Sequence, residues 1–79
     1  MRLTYDPTHN IAYIALREKT AQVETIRVGD DLNIDLAPDG TLYGLELLDA
    51  ANQLALGPDA TFTVVNGLTG ATTSVRLTP

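Results

Sequence analysis

The chain has 79 residues, no cysteine and a net charge of -5. That length fits one domain, expected over residues 1–79, with a core close to the smallest that is stable alone, so association with another subunit is favoured from the outset. The missing cysteine excludes disulfide frameworks, thiolate metal sites and a cysteine nucleophile, and points to the cytoplasm, while the acidic balance disfavours nucleic-acid backbones and anionic membranes.

The opening "MRLTYDPTHN" lacks the apolar run of a signal peptide, and no segment approaches the length of a membrane span. Residues 2–5 and 11–17 flank "DPTHN", whose Pro7 and Asn10 are turn formers, so a first hairpin is expected. In "NIAYIALR" both alternating sets are apolar, which places this strand inside a sheet or covers it on both sides. Polar residues 18–22 are expected to form a loop, and "VETIRV" resumes as a strand with Ile26 and Val28 on one face.

The segment "LNIDL" alternates cleanly, with Leu32, Ile34 and Leu36 inward and Asn33 and Asp35 outward. "PDG" at 38–40 signals a hairpin turn. With Pro38 and Asp39 as the loop, Leu36 pairs with Thr41, Ile34 with Tyr43 and Leu32 with Leu45. This register predicts Tyr43, Leu45, Ile34 and Leu36 buried on one face. It puts Glu46 on the outer face with Asn33 and Asp35, opposite Asp31. Leu42, Gly44 and Leu48 then share that outer face, where Gly44 would let another backbone come close.

"DAANQLALGP" predicts one short helix at about 50–56, capped by Asp49, ended by Gly57 in the left-handed conformation and stopped by Pro58. The tail "ATFTVVNGLTGATTSVRLTP" is a β-branched hairpin. A loop of Gly67 to Gly70 sets Phe62 opposite Val75 and Val64 opposite Thr73; an Asn66-Gly67 two-residue turn is the competitor. The fold class is therefore mainly β, about seven short antiparallel strands with one short helix.

Little in this pattern carries chemistry. Asp31, Asn33 and Asp35 spell the opening of a calcium loop, but Leu36 occupies the position that needs glycine and Leu42 the position that needs a bidentate glutamate. His9 is the only histidine and has no orienting partner identifiable from the sequence. Glu46 and Asp35 share a face, as paired carboxylates in glycosidases do, yet no pocket-forming loops accompany them. The three tyrosines, with only five basic residues, make a poor single-strand nucleic-acid platform. No catalytic residue, cofactor or metal ligand is assigned.

The combination "LTYDPTHNIAYIAL", "VETIRV" and "NIDLAPDGTLYGLELLDA" resembles a family of small bacterial proteins catalogued as domain of unknown function 2283. The resemblance lies in Tyr5-Asp6, Tyr13-Ile14, Asp35, Asp39-Gly40, Gly44-Leu45-Glu46 and Leu48-Asp49-Ala50, over residues 1–51. Asn10 stands where the family usually has Asp, and residues 52–79 are not covered. The resemblance implies a small β-rich domain without assigned catalysis. Some relatives are encoded beside small toxin-like proteins, which implies an antitoxin-type role.

The function expected from these readings is non-enzymatic protein binding and homo-oligomerisation, with a small basic protein as the possible partner. Leu42, Gly44, Glu46 and Leu48 are the candidate interface. The alternative is a small-ligand or metal-binding module on the acidic outer face.

Overall fold

A computed structural model describes residues 1–18 and 22–77. The loop expected at 18–22 falls mostly on residues 19–21, outside the described residues. The chain folds into a five-stranded antiparallel sheet and a separate two-stranded one. Strands β1 (Arg2–Asp6), β2 (Ile11–Ala15), β3 (Glu24–Arg27), β4 (Leu32–Leu36) and β5 (Leu42–Leu48) form the larger sheet in the order β1-β2-β5-β4-β3. Helix α1 (Ala50–Gln53) follows, and β6 (Thr61–Val65) pairs with β7 (Thr72–Arg76). The mainly β, antiparallel expectation holds.

The two-sided apolar strand β2 is interior, as its composition requires, between β1 and β5. The first hairpin turns on Asp6, whose Oδ1 accepts the backbone N–H groups of Thr8 and His9 at 2.9 and 3.3 Å. Asn10 then takes a left-handed φ of 55°, which asparagine tolerates better than most residues.

The β4–β5 register differs from the sequence expectation by two residues, and each has its own cause. The turn holds three residues rather than two: Ala37 N–H donates to Thr41 O, Gly40 N–H donates to Ala37 O, and Gly40 adopts φ 86°. A type I turn closed by a left-handed glycine is the standard three-residue hairpin loop. The second residue is Tyr43. Leu36 pairs with Leu42 but Asp35 pairs with Gly44, so Tyr43 is the extra residue of a β-bulge.

The first shift reverses the faces of β5 and the second restores them. Beyond the bulge Leu32 pairs with Leu47, Asn33 with Glu46 and Ile34 with Leu45, so Leu45 and Glu46 keep their expected faces. Between turn and bulge the faces are exchanged. Leu42 lies opposite Leu36 on the apolar side, and Tyr43 joins the polar side, where its ring centroid is 6.5 Å from that of Tyr13. The expected burial of Tyr43 beside Leu45, the outward placement of Leu42 and the pairing of Glu46 with Asp31 are all corrected by this pair of shifts.

One sheet face gathers Leu3, Ala12, Ile14, Ile26, Leu32, Ile34, Leu45 and Leu47, each opposite another member or beside one across the ladders. Its cover is small. Helix α1 packs mainly on β2 and β5, and Ala12 and Ala50 are the sole fully buried hydrophobic side chains among the described residues. Ile34, Leu36 and Leu45 are half-buried rather than enclosed.

The helix is shorter than expected, and its ends are built differently. The Asp49 side chain makes no capping bond; Asn10 caps from the first hairpin, its Oδ1 accepting Ala51 N–H at 2.8 Å and its backbone O accepting Ala50 N–H at 3.0 Å. At the other end Ala55, not Gly57, takes the left-handed conformation, with φ 50°. Leu56 N–H donates to Ala51 O and Ala55 N–H to Asn52 O, the two bonds of a Schellman motif.

The C-terminal hairpin has the wider-loop register: Phe62 opposite Val75, Val64 opposite Thr73, and residues 67–70 in the turn. Asn66 Oδ1 accepts the N–H groups of Leu68 and Thr69, which fixes that loop and excludes the Asn66-Gly67 turn.

Candidate functional site

The polar face of the larger sheet carries two sets of side-chain hydrogen bonds, one joining β2, β3 and β4 and the other joining β4 and β5. Period-two alternation puts Tyr13 on β2, Thr25 on β3, Asn33 and Asp35 on β4 and Glu46 on β5 on this side. Tyr13 lies across the sheet, passing over Gly44, and its hydroxyl donates to Asp35 Oδ2 at 2.5 Å. Thr25 Oγ1 donates to Asp35 Oδ1 at 2.6 Å, so both oxygens of that carboxylate are engaged. Asn33 Nδ2 donates to Glu46 Oε1 at 2.9 Å.

Gly44 makes the crossing possible. A Cβ built there would stand 2.5 Å from the Tyr13 hydroxyl oxygen, 2.7 Å from its Cζ and 2.8 Å from the Ile14 carbonyl oxygen. The glycine does leave room for a close approach, but the approaching group is a tyrosine of the same chain. Its backbone is buried and is not open to another chain. Glu46 and Leu48 stay on this face, whereas Leu42 is on the other, so the four candidate interface residues do not form one patch.

The electrostatics of the network hold Tyr13 protonated. Desolvation comes first, then the hydrogen bond to Asp35 and the negative charges of Asp35 and Glu46; together they push the phenol far above its ordinary value of 10.0. A group so held donates a hydrogen bond and gives up its proton poorly. In the Asp35–Glu46 pair each carboxylate is bound by neighbouring side chains, Asp35 by Tyr13 and Thr25 and Glu46 by Asn33. Asp31 contributes a backbone oxygen rather than its carboxylate, accepting from Gln53 Nε2 at 2.8 Å and from Leu48 N–H at 3.0 Å. Among the described residues no three His, Asp or Glu side chains converge as metal ligands would.

His9 does have a partner that the sequence did not reveal. Its Nδ1 lies 2.7 Å from Asp6 Oδ2 on the exposed first turn, and that bond leads the causes that hold the Asp6 carboxyl below its ordinary value. Tyr13 and Thr25 were also missed as site residues. The available signal was Gly44: a glycine inside a strand marks a close approach, and a tyrosine one strand away can supply it.

The segments carrying the family resemblance meet in two places. Tyr13, Asp35, Gly44 and Glu46 share the polar face, while Asn10 and the Leu48-Asp49-Ala50 corner join the first hairpin to α1. The family described as "Protein of unknown function (DUF2283)" matches residues 2–50. The chain belongs to this family. The match ends where α1 begins, so the C-terminal hairpin is outside it. No curated protein and no solved structure matches the chain. Among the described residues no helix is long and apolar enough to cross a membrane.

Proposed function

We propose that this member of the family is a non-catalytic association domain that pairs with a second copy of itself through the apolar sheet face. The observation that carries this reading is an excess of exposed surface. The folded chain exposes 5798 Å² at 8.5 kDa, where a compact monomer of that mass exposes about 4,650 Å². The excess of about 1,100 Å² is comparable to the roughly 800 Å² that each partner buries in an ordinary stable interface. The radius of gyration agrees: it is 14.1 Å, against about 11.6 Å for a compact chain of this length.

The chemistry of the sheet face favours a second copy. The face of Leu3, Ile14, Ile26, Ile34, Leu45 and Leu47 is apolar and only partly covered within the chain, and pairing of two identical copies about a two-fold axis is the commonest way to cover such a face. The polar-face network is structural in this reading, because its carboxylates are already bound within the chain. An antitoxin-type role in the cytoplasm, which the resemblance implies, would add a basic partner protein, matched by the net charge of -5.

Sedimentation velocity from about 1 µM to about 500 µM tests the pairing. A dimer or larger closed species is expected over the upper part of that range. A folded protein that stays monomeric throughout would overturn the proposal.

A further inference from the structure

The C-terminal hairpin is a short two-stranded sheet with no cover of its own. It pairs with no strand of the larger sheet, its extensive contacts are between its own two strands, and every residue of β6 and β7 is exposed. Isolated hairpins of this kind are marginal in water. One of its faces is nonetheless an apolar stripe: Phe62 and Val75 are cross-strand partners, Val64 adjoins them, and these three are 51%, 59% and 58% exposed. Leu68 at the tip is 94% exposed.

Where the hairpin leaves the body, an open cleft of about 440 Å³ lies between Leu3 and Tyr5 of β1, Leu54 and Leu56 after α1, and Val75 and Leu77. The apolar sheet face thus continues toward the root of the hairpin without being closed by it.

We propose that the hairpin is an exchange arm: in the dimer, the Phe62–Val64–Val75 stripe of each copy lies across the apolar sheet face of the other. This rests on the association reading above and specifies what does the covering. Two surfaces on one chain, each uncovered, are complementary in chemistry, and reciprocal exchange satisfies both with closed two-fold symmetry. The lengths fit as well. A five-residue strand spans about 17 Å before its loop, and a five-stranded sheet is about 19 Å wide. The paired strands of the arm therefore cover most of the width of the sheet, and the loop at the tip extends beyond them.

The chain's lack of cysteine permits a direct test. Val64→Cys protein and Ile34→Cys protein are mixed, unfolded, refolded together and treated with a short bismaleimide. In parallel, the dimer dissociation constant of a Phe62→Ser/Val75→Ser variant is measured by sedimentation. Cross-linked heterodimers, and a dimer dissociation constant raised by about 100-fold or more in the variant, are expected. A dimer whose dissociation constant is unchanged in the variant would overturn the arm while leaving the association reading intact. In a Val64→Cys/Ile34→Cys double variant treated in the same way, cross-linking confined to single chains would assign the hairpin to its own sheet and also overturn the arm. Absence of any dimer would overturn both proposals.

Discussion

Gly44 has no space for a side chain, because the Tyr13 ring and the Ile14 carbonyl occupy it. Gly44→Val should therefore destabilise the fold by about 1–3 kcal/mol, since the added atoms meet backbone on one side and a hydrogen-bonded ring on the other. Urea denaturation of Gly44→Val alone and with Tyr13→Ala measures it; removing the ring should recover part of the loss. The same ring makes stability sensitive to alkali. The Tyr13 phenol is raised in the folded state, so its contribution is fully present below the unfolded value of 10.0 and is lost as pH rises from there toward the folded value. Urea midpoints between about pH 9 and pH 11 should fall, and fall less steeply in Tyr13→Phe. Equal slopes in both proteins would detach the alkaline sensitivity from this residue.

Elements in this chain depend on their ends more than on their interiors. A helix of four residues has almost no propagation to stabilise it, so its caps decide whether it forms. Asn10 supplies one cap from the first hairpin and Ala55 ends the other side in a conformation that costs an L-residue about 1 kcal/mol. Replacing Ala55 with glycine removes that strain while leaving both Schellman bonds in place, and should stabilise the protein by about 0.5–1 kcal/mol. Thermal unfolding would show it as a higher midpoint; a lower midpoint would mean that the Ala55 methyl makes a contact worth more than the strain. At β5 the three-residue turn and the Tyr43 bulge act together, since either one alone would send Leu45 and Leu47 to the polar side.

At the scale of the whole molecule the sheet is well paired but thinly covered. Ladders connect all five strands in register, yet only Ala12 and Ala50 among the described hydrophobic side chains are fully enclosed. Leu45 is accordingly half-buried in the single chain, and the cost of Leu45→Ala should grow with protein concentration as the dimer fills the site around it. Equilibrium denaturation at two concentrations, about 100-fold apart, measures that dependence. The exposed hairpin and the uncovered face are two parts of one deficit, and an oligomer that joins them would bring the chain to ordinary compactness.

The sequence by itself determined the class of fold, the strands and the polar identity of the face that carries Glu46. Those features follow from local patterns: alternation in "LNIDL", the "PDG" turn and the β-branched tail. It determined the C-terminal register too, because only the four-residue loop keeps Phe62 against Val75. What tertiary structure decided was set by contacts between distant segments. The bulge at Tyr43 lies where β5 meets β2 and β4 together, and its position follows from matching two ladders rather than one. Asn10 was chosen over Asp49 as the cap because the first hairpin places its amide against the helix start, thirty-nine positions away in the case of the Asn10–Asp49 bond. The Tyr13–Asp35 bond likewise spans twenty-two positions, and it forms because Gly44 leaves the sheet open between them. No local propensity encodes such a gap, since it exists only once three strands are side by side.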